Sequence, residues 1–278
     1  IIELDSSLTI GQTIESSCPA KDLILELSIT PNRGDCLSYL GLAKELSAKL
    51  GRPLRLPSIL KAHASQHEKT SVEFKVELES AVPCQRFFAR KFSLPKNKLS
   101  SPLWLKKRLY SSGMRPISLL VDLSNYLMLE TGQPNHAYDY KLLADKTLRV
   151  RFAKPTEELT LLDGQKVSFK EKDLLITDGK RAVGIAGVMG GRDTEVNEKT
   201  DEILLEIACF SPDFVRKTAK RLQLSTEASY RFERGVDIEN IPFVADRFEF
   251  LLGKIIREQG ESEKGLTPLS LDIYPKKG

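Results

Sequence analysis

Residues 174–185 read Leu-Leu-Ile-Thr-Asp-Gly-Lys-Arg-Ala-Val-Gly-Ile, and residues 159–167 read Leu-Thr-Leu-Leu-Asp-Gly-Gln-Lys-Val. Each sets an Asp-Gly pair, Asp178-Gly179 and Asp163-Gly164, between short apolar runs, the strongest short-range hairpin signal a sequence carries. From Leu148 onward the chain therefore reads as short strands and tight turns. Further along, 203–210 is a buried strand bearing one charge, Glu206, and Ser211-Pro212 opens a helix that runs to Leu222. A polar turn then carries Thr226 to Ala228, and 241–256 forms a long amphipathic helix.

Upstream of these hairpins the periods are equally readable. Val72, Phe74, Val76 and Leu78 alternate with charged residues, and a second strand covers 87–92, so a half-exposed hairpin is expected there. Ser101-Pro102 starts a helix through Trp104, and another spans 116–130 with Ile117, Leu120, Val121, Leu127 and Met128 buried and Ser124 and Asn125 beside the apolar seam. Nearer the start, Leu23, Leu25, Leu27 and Ile29 alternate as a strand with one apolar face. Asp35 then caps a helix through Leu37, Leu40, Ala43, Leu46 and Leu50, stopped by Gly51 and Pro53. Strands and helices mix without regular alternation, which favours a layered α+β sandwich with helices over a doubly wound sheet. The reading divides the chain into a small strand and helix domain at 1–56, an aperiodic linker at 57–70 and a main domain at 71–278.

A chain of 278 residues buries enough surface to fold without disulfides or metals. Cys18, Cys36, Cys84 and Cys209 form no Cys-x-x-Cys pair and have no His at ligand spacing, so neither a metal site nor a disulfide framework is indicated. Free buried thiols in a cytoplasmic protein are the expectation. No apolar run is long enough to cross a bilayer. The chain opens at Ile1 without a Met or a signal-like segment and reads as a piece of a longer protein.

The net charge of +4 is weak evidence for a polyanionic partner. Arg216, Lys217, Lys220 and Arg221 repeat at helical spacing and are the best candidate for contact with nucleic acid, set against the plainer reading of a solvated helix face. Gly184, Gly187, Gly190 and Gly191 lack the Gly-Lys-Ser/Thr of a phosphate loop, which leaves two uses: turns or close approach of strands for most of them, or backbone N–H groups bared so that a substrate ring can lie flat against the chain. His136 has two readings: a lone His in such a loop is more often structural than catalytic, but Gly132 and Pro134 make the Gly-Gln-Pro-Asn-His turn rigid enough to hold its ring against a water or an ester oxygen. Glu206 has three readings: facing solvent, pairing with Arg115, or pointing into a pocket as acceptor for a phenolic hydroxyl. Arg231 and Arg234 lie among carboxylates and read as internal ion pairs. No serine or cysteine stands in a nucleophile motif, so covalent catalysis has no support.

Gly-Met-Arg-Pro-Ile at 113–117, Gly-Gln-Pro-Asn-His-Ala at 132–137, Gly-Val-Met-Gly-Gly at 187–191 and Phe-Glu-Arg-Gly-Val-Asp at 232–237 jointly resemble the β subunit of bacterial phenylalanyl-tRNA synthetase. The resemblance covers nearly the whole chain, and residues 85–250 resemble the module that hydrolyses tyrosine wrongly attached to the tRNA for phenylalanine. It implies a site built from Arg115, Ser124, Asn125, His136, Gly190, Glu206, Thr226 and Ala228. Glu206 would recognise the tyrosine hydroxyl. His136, Asn125 and Ser124 would serve the ester or the attacking water, and Arg115, Gly190, Thr226 and Ala228 the rest of the substrate.

This sequence departs from the family pattern in carrying Ser124 for Thr, Asn135 for Met and Glu227 for Asp. The resemblance further implies a tRNA partner, a synthetase α subunit in the full enzyme, and ATP and Mg only for that whole assembly, with no DNA or membrane partner. Its alternative is a noncatalytic module that docks tRNA or supports the αβ assembly. A free-standing editing protein is disfavoured.

Overall fold

The computed structural model describes residues 11, 23–56, 73–97, 99–263, 266 and 269–274. The expected linker at 57–70 and Cys18 lie outside the described residues. Strand β1 is Lys75–Leu78, β2 Cys84–Ser93, β3 Asn135–Asp139, β4 Thr147–Phe152, β5 Glu158–Thr160, β6 Lys166–Ser168, β7 Leu174–Thr177, β8 Ala182–Ile185, β9 Met189–Gly190, β10 Glu202–Phe210 and β11 Leu269–Ile273. Helix α1 is Tyr39–Leu50, α2 Leu103–Ser111, α3 Leu119–Thr131, α4 Pro212–Leu222, α5 Glu227–Phe232 and α6 Ile241–Glu258.

The strands form a sheet ordered β1-β4-β7-β8-β9, a second ordered β11-β2-β10-β3, and the small pair β5-β6. Period-two alternation along the second sheet sorts its side chains between two cores. Phe87, Ala89, Tyr138, Leu204, Ala208 and Phe210 point toward the first sheet and join Val150, Leu175, Ile176 and Val183 there. Phe88, Phe92, Ala137, Ile203, Leu205 and Ile207 point the other way, against Leu105, Leu123, Leu127, Phe248 and Leu252 of α2, α3 and α6. The result is the expected α+β sandwich with helices: sheet, sheet, helical layer. Each wholly buried Leu, Ile or Phe in these cores contributes roughly 1.5–3 kcal/mol relative to exposure. Among the described residues no helix is long and apolar enough to cross a membrane.

Charged ties fix the layers. Arg90, 2% exposed, reaches Asp246 at 2.8 Å and Glu249 at 3.0 Å on α6, and Arg247 of α6 pairs with Glu130 of α3 at 2.7 Å. Arg231 pairs with Glu227 at 2.6 Å and Arg234 with Glu233, so both arginines are internal ion pairs as read.

Both Asp-Gly turns close antiparallel pairs, with Gly164 at φ 88° and Gly179 at φ 93°. Other expectations are corrected. Residues 23–30 form no strand, and Leu23, Leu25 and Leu27 are 80%, 68% and 53% exposed. Alternation marks the face a strand would bury, but it does not supply a neighbour to pair with. Helix α1 is capped by Ser38, whose hydroxyl accepts from Gly41 N–H, and Asp35 lies in the preceding 3-10 turn. Strand β1 makes no hairpin with β2; it pairs in parallel with β4, and β2 belongs to the other sheet. Ile117 is 72% exposed because α3 starts only at Leu119. The polar turn at 226–228 is the start of α5, where Thr226 and Ser229 form a capping box.

Candidate functional site

Strand β10 is buried on both faces, so it has no solvent side for Glu206. Its register places Glu206 directly opposite His136 of β3, both side chains on the face toward the first sheet. Glu206 is 6% exposed, and the hydroxyl of Tyr138, also on β3, donates to its Oε2 at 3.0 Å. Burial raises the Glu206 carboxyl to about 7, with the Tyr138 hydrogen bond pulling the other way. The suspected pairing of Glu206 with Arg115 does not form.

His136 stands on a strand rather than in a loop, since β3 begins at Asn135. Its ring meets Tyr138 edge to face, centroids 4.5 Å apart at 81°. Burial lowers its pKa to about 4, so the imidazole is neutral near pH 7. A Cβ at Gly190 would lie 2.7 Å from this ring, and one at Gly184 would lie 3.2 Å from the Tyr138 hydroxyl. The glycines of β8 and β9 thus let the two aromatic side chains of β3 reach across the sandwich, a use of the missing side chains different from the close approach of strands read from the sequence.

These residues line a pocket of about 440 Å³, within the range of small-molecule sites. Ser124, Asn125 and Met128 of α3 form one wall, Asn135, His136 and Tyr138 another, and Gly190, Thr226, Glu227 and Ala228 a third, with Glu206 among them. Ser124 Oγ, Asn135 Oδ1 and His136 Nε2 are buried there without a hydrogen-bond partner among the described residues. Buried polar atoms are ordinarily paired, so this cluster of open valences marks where a polar ligand or water is received. Asn135 is itself held by donating from Nδ2 to the Ser124 carbonyl at 3.2 Å.

The fold therefore gathers Ser124, Asn125, His136, Gly190, Glu206, Thr226 and Ala228 into one cavity from segments a hundred residues apart. It does not bring Arg115 there. Ile117 N–H donates to Asp122 Oδ1 at 2.7 Å, anchoring the loop before α3, and Arg115 is exposed and outside the lining. The Thr226 hydroxyl spends its proton on the Val188 carbonyl at 2.8 Å, so it shapes the wall more than it addresses a ligand. Tyr138 was missed. The signal was present: in Asn-His-Ala-Tyr-Asp, period two puts residue 138 on the same face as His136.

The stripe on α4 divides as well. Arg216, Lys217 and Lys220 are exposed, but Arg221 is ion-paired with Asp173, a buried carboxylate that also accepts from Thr218 Oγ1 at 3.1 Å and Lys170 N–H at 2.7 Å. Cys36, Cys84 and Cys209 are buried free thiols, and burial raises the last to about 11.

Residues 83–256 match the family model of the B3/4 domain. The β subunit of phenylalanine–tRNA ligase from Desulfotalea psychrophila is 44% identical over 258 residues, 92% of this chain and 31% of that protein. That of Nitratidesulfovibrio vulgaris is 44% identical over 238 residues, covering 85% and 29%. That of Geobacter sulfurreducens is 41% identical over 275 residues, covering 99% and 33%. The chain spans about a third of the length of these curated relatives.

Proposed function

This chain belongs to the B3/4 domain family, in the form carried by phenylalanine–tRNA ligase β subunits, and from that membership we propose that its pocket hydrolyses the ester of tyrosine mischarged onto the tRNA for phenylalanine. The observation that carries the reading is the buried Glu206 carboxylate set opposite His136 in a cavity with three polar atoms that have no partner among the described residues. A pocket that takes phenylalanine rejects an added hydroxyl weakly, so accurate charging calls for a second sieve with the opposite preference. A carboxylate acceptor supplies it. Tyrosine satisfies a lone pair on Glu206 that phenylalanine leaves buried and unpaired.

For the reaction, a water adds to the ester carbonyl, and the tetrahedral intermediate expels the terminal ribose oxygen, which takes up the proton the water gives up, leaving free tyrosine and the tRNA hydroxyl. Neutral His136 and Ser124, whose Nε2 and Oγ have no partner among the described residues, hold the water or the ester oxygen, and Asn125 lies beside them on α3. With a pKa near 4, His136 positions a proton better than it removes one. The exposed cations of α4 are assigned to the tRNA backbone, and the synthetase α subunit completes the enzyme that uses ATP.

The test is deacylation of tyrosyl-tRNA and phenylalanyl-tRNA, both on the phenylalanine acceptor, by this chain and its Glu206→Ala and His136→Ala variants. Preferential release of tyrosine, weakened in folded variants, is expected. Equal inertness toward both esters, alone and within the αβ enzyme, would leave a docking or assembly module in its place.

A further inference from the structure

The Tyr138 to Glu206 contact has the chemistry assigned above to the substrate: a phenol hydroxyl donating to the same carboxylate. Tyr138 is 1% exposed and its ring is pinned, edge-on to His136 on one side and with its hydroxyl in the space that the absent side chain of Gly184 leaves on the other. Its oxygen thus has a fixed position 3.0 Å from Oε2. A carboxylate accepts several hydrogen bonds, so a donor fixed at one oxygen leaves Oε1 available.

We propose that Tyr138 is a positioning residue for selectivity: its hydroxyl holds Glu206 as an ionised, oriented acceptor whose Oε1 is left to bind the hydroxyl of a para-hydroxylated ring. The inference rests on the reading of the pocket as a tyrosine sieve. It answers how a carboxyl buried in a sandwich core still gives up its proton near neutral pH rather than well above it. Desolvation drives Glu206 toward its neutral form, and the Tyr138 hydrogen bond is the opposing influence. The other ionisable groups around it give no such support. His136 is neutral opposite, the Cys84 thiol of β2 is itself raised by burial and by the Glu206 charge, and Asp163 and Glu227 on the same pocket are carboxylates. With Tyr138 removed, Glu206 moves further toward its protonated form at pH 7, and in that form the charge-assisted bond to a ligand hydroxyl becomes a neutral one of about half the strength.

The experiment is a carbon-13 NMR titration of this chain labelled at its Glu side-chain carboxyls, with Glu206→Gln to assign the resonance, for wild type and Tyr138→Phe. In the variant the Glu206 midpoint is expected to move up by one pH unit or more. In parallel, the preference for tyrosyl-tRNA over phenylalanyl-tRNA is expected to fall about tenfold at pH 7 and to return as the pH is raised past the new midpoint. A merely structural Tyr138 would lower both rates alike with no recovery at high pH. An unchanged midpoint overturns the proposal. The titration uses no substrate, so if neither ester is hydrolysed by wild type, that failure belongs to the assigned reaction while the midpoint still decides the role of Tyr138. Should Tyr138→Phe fail to fold, 3,5-difluorotyrosine at position 138, a stronger donor, is expected to move the midpoint down, and no movement overturns the proposal equally.

Discussion

His136 occupies the volume that a side chain at position 190 would need: a Cβ on Gly190 would lie 2.7 Å from both Cε1 and Nε2 of the imidazole. Gly190 is in strand β9 and not in the left-handed region, so alanine is acceptable to its backbone and the conflict is wholly with the ring. The ring cannot retreat freely, because Tyr138 stands edge-on against it. Gly190→Ala is therefore expected to turn His136 out of place. Stability should fall by ~1–3 kcal/mol, as for other overpacked cores, while deacylation falls on the order of a hundredfold through misplacement alone. A melt together with the His136 ring resonances checks it; an unmoved ring with full activity would remove His136 from the site.

The pH dependence of tyrosine release follows from the two shifted groups. A neutral positioning site would show a flat profile between pH 6 and 8, and a catalytic His of ordinary pKa would show a break near 6.5. Neither is expected. His136, held near 4, does not titrate in that range, whereas Glu206, raised to about 7, does. Selectivity for tyrosine should climb from pH 6 to 8, the limb should survive in His136→Ala, and it should vanish in Glu206→Gln. Rates of both esters across that range measure it.

Stability carries the same two groups with opposite signs. Between 4.5 and about 7 the native chain keeps a proton on Glu206 that the unfolded chain has lost, so stability falls as pH rises through that window. Between about 4 and 6.5 the unfolded chain protonates His136 while the native chain does not, so stability rises with pH there. The two largely cancel in wild type. Glu206→Gln keeps an acceptor for Tyr138 and removes the buried charge. It should be more stable than wild type at pH 8 by on the order of 3 kcal/mol, and should lose stability as pH falls from 6.5 toward 4. A pocket that trades stability for selectivity behaves so. Urea melts at pH 5, 6.5 and 8 decide, and a Gln variant weaker than wild type at pH 8 would mark Glu206 as a structural member of the core.

Much of this was legible in the residues. The Asp-Gly turns fixed two hairpins because that dipeptide has few other backbone uses, and the helical spacing of 241–256 marked α6 because its apolar face is continuous. What failed were pairings. The runs at 23–29 and 72–79 alternate correctly, but alternation is local and strand pairing is decided by distant segments; residues 23–29 form no strand, and Lys75–Leu78 of the other run pairs with β4. The site shows the same division. Glu206 was conspicuous as the lone charge in an apolar strand, whereas the partner that makes it tolerable, Tyr138, is an ordinary aromatic until the register of β3 against β10 is known.

The basic stripe offers the last separation, between cations that bind outward and one that holds the fold. Lys217 and Lys220 are exposed, and Arg216 pairs with Asp213 at 3.3 Å, a surface pair worth little. Arg221 is different, because its partner Asp173 is 6% exposed and depends on it. Replacing Arg216, Lys217 and Lys220 together by Glu should leave the melt within about 1 kcal/mol of wild type and weaken tRNA binding, lowering the dependence of log K on log salt by about 2–3. Arg221→Ala should do the reverse. It removes the cation from a buried carboxylate that keeps its hydrogen bonds from Thr218 and Lys170, and costs roughly 1–3 kcal/mol, discounted for the partial exposure of the arginine, with little change in the salt slope. Binding titrations at several salt concentrations beside thermal melts distinguish the two. An unchanged slope in the triple variant would show that the tRNA approaches by another face, and would leave the stripe as a solvated side of α4.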